Sequence, residues 1–193
     1  MESIQKYYEN TMDALPHPIV EEFVKMNITP QNAIDLGGGA GRDTIYLIKN
    51  GWNVLAIDRE DTKELISRKL DNEELKRLEF CCKNFENVEL RKNTLFVANF
   101  SIPFCDKDYF HVLWREISDS ILKERIFCRK LFGMNDSWSP IKEEMVFLSK
   151  EQVLELFKNK FDIIEFKEIE KDGKTGLKKI KHWHIYNVIA KKL

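Results

Sequence analysis

No apolar run in the 193-residue chain approaches the roughly 20 residues that a membrane span needs. The opening Met1-Glu-Ser-Ile-Gln-Lys6 has no apolar stretch of the signal-peptide kind, so a cytoplasmic location is expected. Charge of one sign is missing too. The 31 Lys and Arg stand against 32 Asp and Glu, a formal net charge of -1, which gives no electrostatic case for nucleic acid. Cysteine is scarce: Cys81, Cys82, Cys105 and Cys128 include no C-x-x-C pair, which argues against a zinc or redox centre and for small apolar packing residues. Internal repeats, low-complexity tracts and Pro/Gly/Ser-rich linkers are absent as well. What is there is an ordinary globular composition, 43% hydrophobic and 33% charged, long enough for a single domain over residues 1–193 with a real core.

Apolar periodicity gives the order of elements. Ile19, Val20, Phe23 and Val24 mark an amphipathic helix after Pro18, closed by Pro30. Ala33-Ile-Asp-Leu36 is a short strand that ends in glycines; a helix follows from about Arg42 and stops at Gly51. Trp52 to Asp58 is a nearly continuous apolar strand suited to a sheet covered on both faces. Further helices are expected from Asp61 to Leu70, from about Lys107 to Leu122, and from the capping box Ser149-Lys-Glu-Gln152. Further strands are expected at Leu78–Cys82, Thr94–Phe100 and Ile126–Leu131. Phe161–Ile169 and Trp183–Ala190 then pair around Asp172-Gly173. Alternating strands and helices followed by a hairpin predict an α/β, Rossmann-like three-layer sandwich. Its sheet has seven mainly parallel strands, with an antiparallel C-terminal hairpin strand.

The chemistry concentrates in Ile34-Asp35-Leu36-Gly37-Gly38-Gly39-Ala40-Gly41-Arg42. Glycines between a strand and a helix allow a tight turn and let a ligand approach bare backbone. Gly37, Gly39 and Gly41 are spaced G-x-G-x-G. The dinucleotide fingerprint begun at Gly37 needs glycine at 42, where Arg42 stands. Asp35, two residues ahead of the turn, is unwelcome beside a pyrophosphate but attracts a ligand carrying an ammonium and a sulfonium. This charge balance favours S-adenosylmethionine over NAD. Asp58 ends the next strand, where parallel pairing brings it beside the glycines and lets it accept from both ribose hydroxyls. Arg59 follows it. Asp35 and Arg42 are expected to orient the ligand's charged groups while Gly37 and Gly39 pass close to its methionine part, and Gly38 is counted with them as cofactor-binding.

From Asp35 to His184 the chain resembles small bacterial methyltransferases of the tellurite-resistance type, within the class I S-adenosylmethionine-dependent enzymes. The residues responsible are Asp35-Leu-Gly-Gly-Gly-Ala-Gly-Arg-Asp43, Asn99-Phe-Ser-Ile-Pro-Phe104, Phe132-Gly-Met-Asn-Asp-Ser-Trp138 and Lys181-His-Trp-His184. The resemblance implies that the loop Lys83-Asn84-Phe85-Glu86 cups the adenine, with Asn84 where relatives usually carry aspartate. It also implies that Asn99 and Phe100 flank the methyl donor, and that the N-terminal segment 1–30, with Tyr7 and Tyr8, covers the cofactor. One departure is visible: Leu122-Lys-Glu-Arg-Ile126 lacks the Pro-Gly-Gly turn common in the family, which leaves that loop's shape open.

Asn135, Asp136 and Trp138 follow the fifth strand, so they are expected on the ligand-binding edge as substrate contacts; the alternative is a structured turn in which Asp136 caps and Trp138 packs. His182 and His184 share a strand face. With no third ligand in register they are expected toward solvent or the substrate mouth, without a metal. The expected activity is methyl transfer to a small-molecule acceptor, with no base assigned and with His182, His184 and Asp136 as first candidates should one be needed. An NAD-dependent oxidoreductase and a non-enzymatic cofactor-sensing protein on the same fold remain as alternatives.

Overall fold

The computed structural model describes residues 2–193. In chain order the elements are α1 (Glu2–Thr11), α2 (Pro18–Val24), β1 (Asn32–Leu36), α3 (Arg42–Lys49), β2 (Asn53–Asp58), α4 (Lys63–Ser67), α5 (Asn72–Leu75), β3 (Leu78–Cys82) and β4 (Asn93–Asn99). They continue with α6 (Phe110–Ser120), β5 (Ile121–Gly133), β6 (Phe147–Leu148), α7 (Lys150–Phe157), β7 (Phe161–Lys174) and β8 (Ile180–Lys192). The sheet runs β3-β2-β1-β4-β5-β8-β7. Strands β1 to β5 are parallel, β8 is antiparallel to β5, and β7 and β8 form the closing hairpin.

The two sheet faces follow from residue parity. Ile34, Leu36, Phe96, Ala98, Phe127 and Leu131 face α6 and α7. Ala33, Val54, Leu95, Val97 and Cys128 face α2 and α3, where Ile19, Val20, Phe23, Leu47 and Trp52 cover them. Helices on both faces make the three expected layers. Among the described residues no helix is long and apolar enough to cross a membrane.

The sheet has eight strands where seven were expected. Pairing of β4 with β5 stops at Asn99 and Lys130, and the short β6 takes up the edge of β5 beyond it, at Phe132 and Gly133. An apolar strand edge would otherwise be left open there. The helix expected from Lys107 to Leu122 is α6 alone, because Ile121 already pairs with Asn93 as the first residue of β5. In place of a Pro-Gly-Gly turn the chain enters β5 through a register shift, with Glu124 at φ +61°. Helix α2 ends at Val24, well before Pro30, and the Asp61–Leu70 helix is only α4, five residues long. The hairpin strands run longer than their apolar alternation, since polar residues continue the ladder to Lys174 and Ile180. Cys105 and Cys128 are buried as expected, but Cys82 on edge strand β3 is exposed.

One core residue breaks the apolar pattern. Arg129 is fully buried between Trp114 and Phe157, its guanidinium carbon 4.1 and 4.3 Å from their ring centroids. None of its side-chain nitrogens has a hydrogen-bond partner, and burial pushes its pKa well below the usual range.

Candidate functional site

Strand order reverses between β1 and β4, and the glycine turn leaves β1 at that point, the usual ligand crevice of an open parallel sheet. The turn is tied to β2: Gly37 and Gly38 both donate to the Ile57 carbonyl, at 2.7 and 3.2 Å. Gly37 has φ +74°, and a Cβ there would lie 2.3 Å from the Cβ of Ser101, so both conformation and space demand glycine.

Asp58 closes the turn from the neighbouring strand. Its Oδ2 accepts from the Gly39 N–H at 2.8 Å, and its Oδ1 from the Glu60 N–H at 3.1 Å and the Tyr8 hydroxyl at 3.3 Å. Burial, together with the Asp58 charge, raises the Tyr8 pKa, so this phenol stays a donor. Around these residues lies a cleft of about 480 Å³, within the range of small-molecule sites. It brings together Tyr7, Tyr8, Gly37, Asp58, Arg59, Asn84, Phe85, Phe100 and Trp138, all candidates from sequence. Ile4, Glu86, Ser101 and Phe104 line it as well and were not singled out. Ser101 and Phe104 belong to the quoted Asn99–Phe104 segment, so their signal was present. Ser101 is almost fully buried and its Oγ lacks a protein partner. A wider groove of about 700 Å³ runs between α6 and α7, lined by residues such as Phe110, Trp114 and Leu156, away from the glycine turn.

Five expected cofactor residues do not line the cleft: Gly38 and Gly39 contribute backbone N–H groups to the turn itself, and the side chains of Asp35, Arg42 and Asn99 point elsewhere. Asp35 shares the parity of Ala33, so its side chain points toward α3, where Oδ2 accepts from the Thr44 hydroxyl at 2.6 Å beneath Gly38. Burial and the nearby Asp43 charge raise its pKa to about 7. The carboxylate that faces the backbone of the turn is Asp58, not Asp35. Arg42 turns away to the Leu15 carbonyl and to His17 Nε2. Asn99 donates to Asp43 Oδ2 at 2.8 Å, and His17 binds the same oxygen through Nδ1 at 2.7 Å. Burial alone would raise the Asp43 pKa, but His17 and Asn99 hold it below the ordinary value. This Asp43–His17–Asn99 cluster, which joins α3, the segment before α2 and the end of β4, has no local signature in sequence.

Four substrate candidates are also placed elsewhere. The β7–β8 register sets Asp172 opposite His182 and Glu170 opposite His184. His182 is held by Asp172 at 2.8 Å and Glu170 at 3.1 Å. His184 lies between the Asn135 N–H and Glu168 Oε1, each at 3.1 Å. Asn135 reaches Glu170 at 3.3 Å. Asp136 is buried and paired with Lys181 at 2.5 Å; it also accepts from the Trp138 N–H at 3.0 Å. Cross-strand acids absorb the histidines, and the Asp136–Lys181 pair builds the turn that carries Trp138. The structured-turn alternative thus holds for Asp136, while Trp138 does reach the cleft. Among the described residues no group of three or more His, Cys, Asp or Glu is arranged to hold a metal.

Comparison with solved structures shows the same fold in S-adenosylmethionine-dependent methyltransferases. TehB from Haemophilus influenzae superposes with a TM-score of 0.75 at 14% identity, over 92% of this chain and 62% of that one, so the chain spans under two thirds of its length. Burkholderia thailandensis 1,6-didemethyltoxoflavin-N1-methyltransferase, with bound 1,6-didemethyltoxoflavin and S-adenosylhomocysteine, gives 0.69 at 17% identity, covering 91% and 77%. A SAM-dependent methyltransferase from Methanosarcina mazei gives 0.69 at 16%, covering 93% and 99%. No curated protein sequence matches the chain. The family model for tellurite resistance protein TehB matches residues 3–169, and the chain belongs to that family.

Proposed function

We propose that the protein transfers a methyl group from S-adenosylmethionine to a small-molecule acceptor. The observation that carries this reading is the Gly39–Asp58 hydrogen bond, which sets a carboxylate against bare backbone at the strand-order reversal. Three hydrogen bonds leave Asp58 with acceptor capacity, and the Tyr8 contact at 3.3 Å is long enough to yield to a ribose hydroxyl. On this reading Asn84 and Phe85, which line the cleft after β3, contact the adenine, and Gly37 with the unpartnered Ser101 hydroxyl contacts the methionine part. Tyr7 and Tyr8 on α1 cover the cleft. Gly38 and Gly39 shape the turn, Asp35 supports it beneath Gly38, and Arg42 ties α3 to the segment before α2.

The cofactor supplies an electrophilic methyl on a sulfonium. The protein's contribution is to hold the acceptor in line, exclude water with its aromatic walls and stabilise the cofactor through Asp58. No carboxylate or imidazole from the β5–β6 segment or β8 reaches the cleft, so no base is assigned among Asp136, His182 and His184. A balanced net charge and the small cleft support a small molecule over nucleic acid. Calorimetry with S-adenosylhomocysteine and with NADH tests the reading. Binding of the first and not the second is expected; the reverse overturns it.

A further inference from the structure

The cleft divides into two chemically different halves. Toward β2 and β3 stand the charged Asp58, Arg59 and Glu86, with Asn84 and the Phe85 ring among them. Toward β4 and the segment after β5 stand the rings of Phe100, Phe104 and Trp138, with the buried Ser101 hydroxyl beside Gly37; Tyr7 and Tyr8 reach the cleft from α1. Phe104 is 50% exposed, so this half presents open ring surface. On the methyl-transfer reading above, the cofactor's adenosine occupies the first half and the acceptor the second.

Against two of these rings lie buried cations. The Lys181 ammonium sits 3.6 Å from the centroid of Trp138, and that of Lys130 5.1 Å from the centroid of Phe100. Both lysines are nearly inaccessible, and neither lines the cleft. Phe100 and Trp138 line the cleft, whereas the two ammonium groups that sit against them do not. Asp136 keeps Lys181 in place at 2.5 Å, while Asp43, held ionised by His17 and Asn99, lies near Lys130. A cation on one face of an aromatic ring draws π density toward itself and weakens the negative potential of the opposite face. An aromatic cage that recruits ammonium groups requires the reverse. Two of the walls facing the acceptor, Phe100 and Trp138, are thus electron-depleted, and Phe104 adds an apolar ring beside them.

From this arrangement we propose that the acceptor is an electron-rich planar aromatic compound, uncharged or anionic, that stacks on Phe100, Phe104 and Trp138 and presents a sulfur or nitrogen lone pair beside Ser101. Ammonium compounds are excluded by the same walls. For an aryl thiolate the step balances without a base. A sulfur lone pair forms the new bond to the methyl carbon, the bond from that carbon to the sulfonium breaks, and its electron pair stays on the departing sulfur. The products are an aryl methyl thioether and S-adenosylhomocysteine, and no proton moves.

The test compares three compounds of one skeleton: 2-naphthol, decahydro-2-naphthol and (2-naphthylmethyl)trimethylammonium. Each is titrated by calorimetry into the protein with and without saturating S-adenosylhomocysteine. The expected result is 2-naphthol binding at least about tenfold tighter than either of the others, with that preference reduced in Phe104→Leu, whose half-exposed ring makes a folding failure a minor concern. Methylation of 2-naphthalenethiol, read as the methyl thioether by mass, should exceed that of decahydronaphthalenethiol. Equal affinity for the saturated alcohol, or cation binding as tight as naphthol binding, overturns the proposal. Failure of S-adenosylhomocysteine to bind at all overturns the methyl-transfer reading instead, and the ranking without it still judges the aromatic half.

Discussion

Gly39 donates its backbone N–H to Asp58 Oδ2 at 2.8 Å, joining the turn after β1 to the last residue of β2. This contact fixes both the shape of the turn and the direction of the carboxylate. Asp58→Ala should weaken S-adenosylhomocysteine binding by about tenfold or more, the loss of charged hydrogen bonds worth roughly 1.5–3 kcal/mol. Asp58→Asn keeps an acceptor for Gly39 and should lose less. Calorimetry on both variants checks this, and unchanged affinity in Asp58→Ala removes the residue from the site.

The hairpin tip holds α1 over the cleft. The Asn10 amide donates to the Gly176 carbonyl at 3.1 Å, and a Cβ on Gly176 would lie 2.4 Å from the Tyr7 ring. Gly176→Val forces that ring away, and overpacking of this kind costs about 1–3 kcal/mol. Release of S-adenosylhomocysteine, followed by stopped-flow tryptophan fluorescence, should accelerate by about tenfold. An unchanged release rate would mean that α1 does not gate the cleft.

Asp35 gives a dependence of stability on pH. Burial and Asp43 raise its folded pKa from 3.8 to about 7, so the native state holds this proton more tightly than the unfolded chain. Its contribution is fully present below about pH 3.8 and is lost as pH rises through about 7, at up to about 1.4 kcal/mol per pH unit. Asp43, held low, is already ionised across this window and adds no slope. Urea unfolding between pH 4.5 and 7.5 should therefore show a steeper loss for the natural chain than for Asp35→Asn. Parallel curves would disprove the assignment.

Arg129 carries a buried charge with no anion beside it, offset only by stacking on Trp114 and Phe157. Replacing such a charge by an apolar residue of similar volume is often neutral or stabilising by about 1–4 kcal/mol. Arg129→Met should raise the urea midpoint without changing cofactor affinity. A lower midpoint would show that the stacked guanidinium is worth more than its desolvation costs.

Local pattern in the sequence was enough for the parallel sheet, the glycine turn at its centre and the acid at the end of β2. Strand and helix periods, glycine spacing and parallel pairing act over short stretches and leave direct marks in residue order. The capping box at Ser149 is such a mark: both of its reciprocal hydrogen bonds form. Tertiary structure alone decided the direction of side chains whose partners come from distant segments. Asp35 meets Thr44 because β1 parity sends it toward α3, and His182 and His184 meet acids because of the hairpin register. Lys130 meets Phe100 only once β4 and β5 pair, and Lys181 meets Trp138 only once β8 lies beside β5. Burial and long-range pairing set these charges, and neither is written in any local run of residues.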